Sequence, residues 1–375
     1  MSEPFDDTND FLNILRYCLR GEPLPIALIK QVEWRKIFAI SSRQAVVGIL
    51  FKGVESMMEA GNVIPHDILY QWIAYSQQID GQNRLVNQRC AELIEKLAKD
   101  GYDSCILKGQ GNATYYPDPY TRTPGDIDAW VKSKSNARCK KDDVRRVIEY
   151  VRKRNPSAVA CNIHVEYGDF GGVEVEIHYR PAILHNPFYN KRLTSWVRSQ
   201  EESVFGNSCL LPSGEQICVP TVEFNIVYQL THMYKHVMLE GLGLRQVIDY
   251  FYLLLNAKDE VRSKMADMRE TLKYLNLYNF AGAIMYILRD VLGLEEKYLI
   301  VPIDKRRGEF LLKEIIRGGN FGKYDTKGYI VKWKNPVGSW LRHLEYDVRL
   351  VRYFPSESLW EPFSRIYQHF WRLAH

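Results

Sequence analysis

The segment from residue 104 to residue 132 constrains the fold of this chain more than any other. Ser104 to Leu107 form a short apolar run typical of a buried strand, and the run ends at Lys108–Gly109. A proline-rich loop, PDPYTRTPG, follows and leads directly into the sequence DIDAWV. Because side chains alternate across a strand, this second strand is predicted to place Asp126 and Asp128 on one face.

Two carboxylates on one strand face repel each other and shift each other's pKa values. A shared divalent cation relieves that repulsion, and an oxygen-rich site of this kind suits Mg²⁺ or Mn²⁺. The alternative is a solvent-facing strand that happens to carry two acids. The pair Asp126 and Asp128 does not decide between these interpretations by itself.

A second acidic strand favours the metal site. The sequence NIHVEYGDFGGVEVEIHYR predicts two strands joined by a glycine-rich turn near residues 169–172. By alternation, Glu174, Glu176 and His178 share one face of the second strand. An acid placed there beside DIDAWV would complete a three-carboxylate cage for the metals of a phosphoryl transfer. The alternative is the solvated face of an antiparallel sheet.

Helical patterns flank this acidic segment on both sides. Residues 1–100 carry apolar side chains at helical spacing, and the chain is mostly helical again from Pro220. The predicted fold class is therefore α+β, a small mixed β-sheet core flanked by N- and C-terminal helical regions. The predicted domains are residues 1–100, 101–220 and 221–375.

Composition narrows the classes of function. The net charge of +5 and the isoelectric point of about 8.6 are compatible with phosphate-bearing ligands, but fall short of a dedicated nucleic-acid-binding domain. The seven cysteines contain no C-x-x-C pair, so neither a disulfide framework nor a cysteine zinc site is predicted. The sequence has neither a signal-peptide pattern nor an apolar run of membrane-spanning length, which predicts a cytoplasmic protein.

The combination LKG, YYP-x-P, GDIDAWV and EIHYR resembles an uncharacterised bacterial nucleotidyltransferase-like family of the polymerase-β-type nucleotidyltransferase superfamily. The resemblance covers residues 104–180 well and a later helical stretch more weakly. It implies a nucleotidyltransferase that uses an NTP as substrate with Mg²⁺ or Mn²⁺. Asp126, Asp128 and Glu176 would be the catalytic metal ligands, and the turn at Gly109 would hold the triphosphate. Lys108 stands where the superfamily has a small residue, and it could place a point charge on a phosphate.

Further nucleotide-binding candidates lie around these motifs. Arg122 could contact a phosphate or pair with Asp126. His178 could orient a metal-bound carboxylate or donate to a phosphate, with a structural histidine as the alternative. Lys235 and His236 are predicted to supply cations to the phosphates from one helix.

Two other helical spacings have less functional weight. His232 and His236 have the spacing of a zinc pair, but no third ligand is evident in the sequence. Arg245 and Asp249 have the spacing of an ordinary helical ion pair.

Three functional hypotheses remain open at this point. The favoured one is an enzyme that transfers an NMP to a hydroxyl or phosphate acceptor, such as a sugar or polysaccharide precursor. The second is a catalytically inactive protein of this fold that binds a ligand or a partner. The third is a nucleic-acid-modifying enzyme, suggested by the aromatic and basic tail from Lys332 to Trp371, although inward packing of those aromatics is favoured. The nucleotide, the acceptor and the oligomeric state are not predicted.

Overall fold

The computed structural model describes residues 4–22, 32–59, 64–134, 140–257, 262–324 and 336–375. The strands are β1 Tyr102–Ile106, β2 Ile127–Ser133, β3 His164–Asp169, β4 Glu174–His178, β5 Ser208–Leu210 and β6 Gln216–Cys218. The helices are α1 Pro4–Arg20, α2 Trp34–Gln44, α3 Val47–Glu59, α4 His66–Lys99, α5 Gln110–Ala113, α6 Lys140–Arg154, α7 Pro187–Phe205, α8 Val222–Leu239, α9 Leu244–Leu255, α10 Met265–Tyr274, α11 Tyr278–Tyr286, α12 Lys305–Gly318, α13 Pro336–Val351 and α14 Pro355–Ala374.

Four strands form a mixed sheet in the order β1-β2-β4-β3. β1 is antiparallel to β2, β2 is parallel to β4, and β3 is antiparallel to β4. The parallel pair is possible because α6 and β3 provide the long crossover that such a connection needs. The predicted fold class, α+β with a small mixed sheet between helical regions, is confirmed.

The two faces of β2 belong to different hydrophobic cores. Ile127, Ala129 and Val131 pack into a core with α6 and the second half of α4. Trp130, on the opposite face, packs against Phe224 of α8 in a larger core. The face predicted to carry the acids therefore lies towards the C-terminal helices and not towards open solvent.

The long helix α4 contributes to both cores. Ile68 and Trp72 of its first half are buried among the N-terminal helices, while Cys90 and Leu93 of its second half are buried under the sheet. The helix begins at His66, since the apolar side chains of its first turns have a core to enter.

N- and C-terminal helices share the larger core. Leu15 and Leu50 belong to the same cluster of buried side chains as Phe251 and Leu288. The division into domains 1–100, 101–220 and 221–375 remains a proposal about folding units.

The prediction that the aromatic side chains of the C-terminal tail pack inward is wrong for much of α14. Trp371 is buried and its ring stacks on Tyr179, with 6.1 Å between the centroids. Phe363, Tyr367 and Phe370 are instead exposed on the outer side of this helix. Residues 332–335 of the predicted tail lie outside the described residues.

Among the described helices, none combines the length and the apolar character required to cross a bilayer.

A buried acidic pair between α13 and α14 makes stability depend on pH. Asp347 is 3% exposed, and neither carboxylate oxygen has a hydrogen-bond partner among the described residues. Burial, together with the nearby carboxylate of Glu361, raises the pKa of Asp347 to about 8. The folded protein thus holds a proton that the unfolded chain releases near its usual pKa of about 4.

We therefore expect the free energy of unfolding to fall as the pH rises from about 4 to about 8, and to level off above that range. Asp347→Asn should remove this loss, so that the variant melts several degrees above the wild type at pH 8 but close to it at low pH. Thermal unfolding across this range measures the effect. Glu202→Gln, at an exposed position, is the control, and a wild-type pH profile in Asp347→Asn would contradict the assignment.

Candidate active site

The parallel pairing of β2 with β4 brings the three predicted acids together. Asp128 lies directly opposite Glu176 in the register, and Asp126 immediately precedes β2 on the same face. One carboxylate oxygen from each of the three residues lies within 4.8 Å of the other two. The sheet therefore provides the convergence that a metal cage requires.

The donor set fits Mg²⁺ or Mn²⁺, because these ions prefer carboxylate oxygens. Oδ2 of Asp128 is also buried, and the ammonium group of Lys108 lies 2.9 Å from it, so this oxygen already binds a positive charge. Asp126 and Glu176 are partly exposed, which leaves the cluster accessible from one side. Their role as metal ligands remains a prediction from the sequence that this geometry supports.

The carboxylates shift one another's pKa values. The negative charge of Asp128 is the main cause that raises the pKa of Asp126. Burial alone would raise the pKa of Asp128, but Lys108 and His178 lower it to about 2. Burial would likewise raise the pKa of Glu176, but hydrogen bonds to His164 and His178 lower it. At neutral pH the carboxyl groups of Asp128 and Glu176 are therefore ionised.

Lys108 lies inside the acidic cluster. Its Nζ is 2.9 Å from Oδ2 of Asp128 and 3.4 Å from Nε2 of His232. Burial works against the charged form, yet the carboxylates of Asp128 and Asp126 raise the pKa of Lys108 above its usual value. The ammonium group therefore stays charged and partly neutralises the acids.

The turn after Lys108 requires glycine. Gly109 has a φ of 68°, in the region that other residues rarely adopt, and the chain then enters the short helix α5. This conformation turns the chain beside the backbone of Asp126 at the start of β2, which fits the glycine turn predicted from the sequence. Contact with a triphosphate remains a prediction.

His178 links two of the acids. Its Nε2 lies 2.9 Å from Oδ1 of Asp128 and 3.2 Å from Oε2 of Glu176. Burial would lower the pKa of His178, but these carboxylates raise it. The imidazole is therefore placed to orient both carboxylates, which is one of the two functional roles predicted for it.

His164 also belongs to the cluster and was missed at the sequence level. It lies directly opposite His178 on β3, and its Nδ1 is 3.0 Å from Oε2 of Glu176. Alternation along β3 and the antiparallel pairing could have placed it on the acidic face. The missing information was the register of β3 against β4, which local sequence patterns do not specify.

The prediction that Arg122 pairs with Asp126 is wrong. Its Nε and Nη2 donate to the two carboxylate oxygens of Asp249, at 2.7 and 2.8 Å. The hydroxyl of Tyr116 donates to the same carboxylate at 2.7 Å. Arg122 is buried and bidentately bound, so its guanidinium fixes the loop before β2 to α9.

The predicted helical ion pair between Arg245 and Asp249 is also wrong, because Asp249 is engaged by Arg122. Arg245 instead donates from Nη1 to the backbone oxygens of Thr123 and Pro124, at 3.0 and 3.3 Å. Its Nε is buried without a hydrogen-bond partner among the described residues. This second arginine, which carried no functional prediction, thus lies against the segment that leads into Asp126.

The helix α8 supplies fewer cations than predicted. Nε2 of His236 lies 2.9 Å from Nε2 of His232, and burial lowers the pKa of both imidazoles. Both rings are therefore neutral at physiological pH. Lys235 is half-buried, and no hydrogen bond or ion pair to an acid of the site is found for it within the described ranges.

A small cavity adjoins Lys108. It is lined in part by His232, Arg245 and Phe321, and its volume of about 20 Å³ is enough for about one water molecule. A phosphate group that entered this cavity would therefore need these side chains to move. A cavity of about 550 Å³ lies elsewhere, between α3, α4 and the turn at residues 119–121.

The fold and the converging acids define a nucleotidyltransferase-like protein. A family model described as "Uncharacterised nucleotidyltransferase" matches residues 30–293, and the chain belongs to this family. No curated protein matches the sequence. The crystal structure of an antigenic nucleotidyltransferase-like protein from Paracoccidioides brasiliensis matches 50% of this chain and 90% of that one, at 15% identity and a TM-score of 0.27. A similarity this low supports no inference about the site.

The Arg122–Asp249 pair yields a stability prediction. Asp249→Ala leaves a buried guanidinium without its partner, so we expect a loss of about 3–5 kcal/mol in the free energy of unfolding. Chemical denaturation measures it. Asp80→Ala removes the partner of Arg84 in an exposed pair and should destabilise the protein far less. Equal losses in the free energy of unfolding would show that the buried pair stabilises the protein no more than the exposed pair does.

Proposed function

We propose that this protein is a metal-dependent nucleotidyltransferase that transfers an NMP from an NTP to a hydroxyl or phosphate acceptor. A small molecule such as a sugar or polysaccharide precursor is the acceptor class we favour. The observation that carries the proposal is the convergence of Asp126, Asp128 and Glu176 in a chain of the nucleotidyltransferase family.

In this proposal Asp126 and Asp128 hold the Mg²⁺ or Mn²⁺ ions, and Glu176 completes the site. When bound, the ions would activate the acceptor hydroxyl and stabilise the pyrophosphate leaving group. His178 contacts both Asp128 and Glu176 and would keep their carboxylates oriented. Glu176, which is partly exposed, would also help to accept the proton of the acceptor.

Lys108 is the residue we propose for the β- and γ-phosphates, together with the backbone at Gly109. Its ammonium pairs with Asp128 in this structure, so it would shift to the phosphates when the metals take up the carboxylates. Arg245 is a second candidate because of its partly unpartnered guanidinium. Arg122, bound to Asp249, acts in this proposal through the position of its loop.

The acids are tested with Asp128→Asn. Because the amide offers one weak oxygen ligand in place of a carboxylate, we expect binding of Mn²⁺-ATP to weaken by more than about 100-fold. Calorimetric titration measures the affinity, and circular dichroism checks the fold. Asp103→Asn, at an exposed position on β1, is the matched control. Unchanged Mn²⁺-ATP binding in Asp128→Asn would remove the assignment.

Lys108→Met separates two effects of the lysine. In the absence of nucleotide, Mn²⁺ should bind about 10-fold more tightly, because a competing positive charge has left the carboxylates. Binding of ATP at saturating Mn²⁺ should weaken, because a phosphate contact is lost. Lys132→Met, at the exposed end of β2, is the control. Mn²⁺ affinity that stays the same or falls in Lys108→Met would contradict competition for Asp128.

The ion pair between Lys108 and Asp128 also favours a second candidate function, a catalytically inactive binding or regulatory protein of this fold. In that case a permanent ammonium group would replace the metal charge. Pyrophosphate release from each of the four NTPs, with cell extract as the source of acceptor, distinguishes the two. A burst of pyrophosphate that depends on the extract and is absent in Asp128→Asn would eliminate the inactive protein.

A further inference from the structure

Two histidines and a carboxylate converge on the sheet face beside the three acids. They are His164 on β3 and Glu176 and His178 on β4, and one ligand atom from each lies within 4.8 Å of the others. We propose that these three residues form a second metal site, selective for a borderline transition ion such as Zn²⁺. The proposed nucleotide transfer requires no metal at this place, although it shares Glu176 and His178 with the second site.

The sheet register builds this site. His164 is the direct cross-strand partner of His178, and Glu176 is two residues away on the same face of β4. Oε2 of Glu176 lies 3.0 Å from Nδ1 of His164 and 3.2 Å from Nε2 of His178. Ligands bound tetrahedrally at about 2.0–2.1 Å are about 3.3 Å apart, so small movements would suffice.

A buried nitrogen without a hydrogen-bond partner supports a shared ion. Nδ1 of His164 is buried and, despite its short distance from Glu176, makes no well-oriented hydrogen bond within the described part of the chain. There is a point between this nitrogen and the carboxylate oxygen at which an ion could contact both atoms. A cation at that point would satisfy both atoms.

The chemistry of the donors selects the ion. Imidazole nitrogens suit Zn²⁺ and similar transition ions, whereas Mg²⁺ prefers carboxylate and water oxygens. The thiol of Cys161 hydrogen bonds to the side chain of His164, as supporting groups around a metal ligand commonly do. Two sites of different selectivity would therefore lie side by side, one built on Asp126 and Asp128 and the other on the histidines.

Glu176 is common to both clusters, so the test must separate them. Zinc-loaded wild-type protein should show two imidazole ligands by X-ray absorption spectroscopy, and this measurement requires no variant. A shell made only of oxygen ligands would place Zn²⁺ at the acids and overturn the proposal. Co²⁺ should likewise give the intense visible absorption of a four-coordinate site.

Two variants divide the sites. His164→Gln should weaken Zn²⁺ binding by about 100-fold or more and abolish the Co²⁺ spectrum, while Mn²⁺-ATP binding persists. Asp126→Asn should weaken Mn²⁺-ATP binding, while Zn²⁺ binding and the Co²⁺ spectrum persist. His369→Gln, at an exposed position on α14, is the matched control and should change neither.

The possible failures are distinguishable. Retention of the Co²⁺ spectrum in His164→Gln would overturn the second site and leave the proposed nucleotide site intact. If both Asp126→Asn and Asp128→Asn bind Mn²⁺-ATP as the wild type does, the nucleotide site is overturned and the second site is not affected. Zinc should also raise the melting temperature of the wild type more than that of His164→Gln, and an equal rise would count against the second site.

Discussion

The parallel pairing of β2 and β4 is the constraint on which the candidate site depends. It sets Asp128 opposite Glu176, and it can form only because α6 and β3 carry the chain back across the sheet. A shift of one residue in this register would turn one carboxylate into the hydrophobic core beneath the sheet. The apolar side chains on that other face, among them Ile127 and Ile177, therefore fix the positions of the acids.

Once the acids are together, their charge has to be balanced in a partly buried setting. The helix α8 covers their face, but burial keeps His232 and His236 neutral. Lys108, which follows the end of β1, contacts Asp128 as a cation, and His178 of β4 contacts the other oxygen of this carboxylate. A lysine at this position therefore balances charge in the cluster. Its charge stabilises the cluster, and the same charge competes with any metal for Asp128.

Local patterns were sufficient for the faces of the acidic strands but not for their tertiary partners. Alternation along DIDAWV and VEVEIH predicted the faces of Asp126, Asp128, Glu176 and His178, because strand periodicity is a local property. The partner of Arg122 could not be predicted, since Asp249 is distant in sequence and meets it only after α9 packs. His164 was missed for the same reason, because its place depends on the register of β3 against β4.

The loop before β2 shows why the sheet alone would not hold the site. A segment of this length between Gly109 and Asp126 has many conformations, and fixing them costs entropy. Arg122 and Arg245 restrict it by binding to Asp249 and to the backbone at Thr123. Both contacts come from α9, in the C-terminal helical region. The position of Asp126 therefore depends on helices outside the sheet, and the proposed division at residues 220 and 221 separates the acids from the residues that hold them in place.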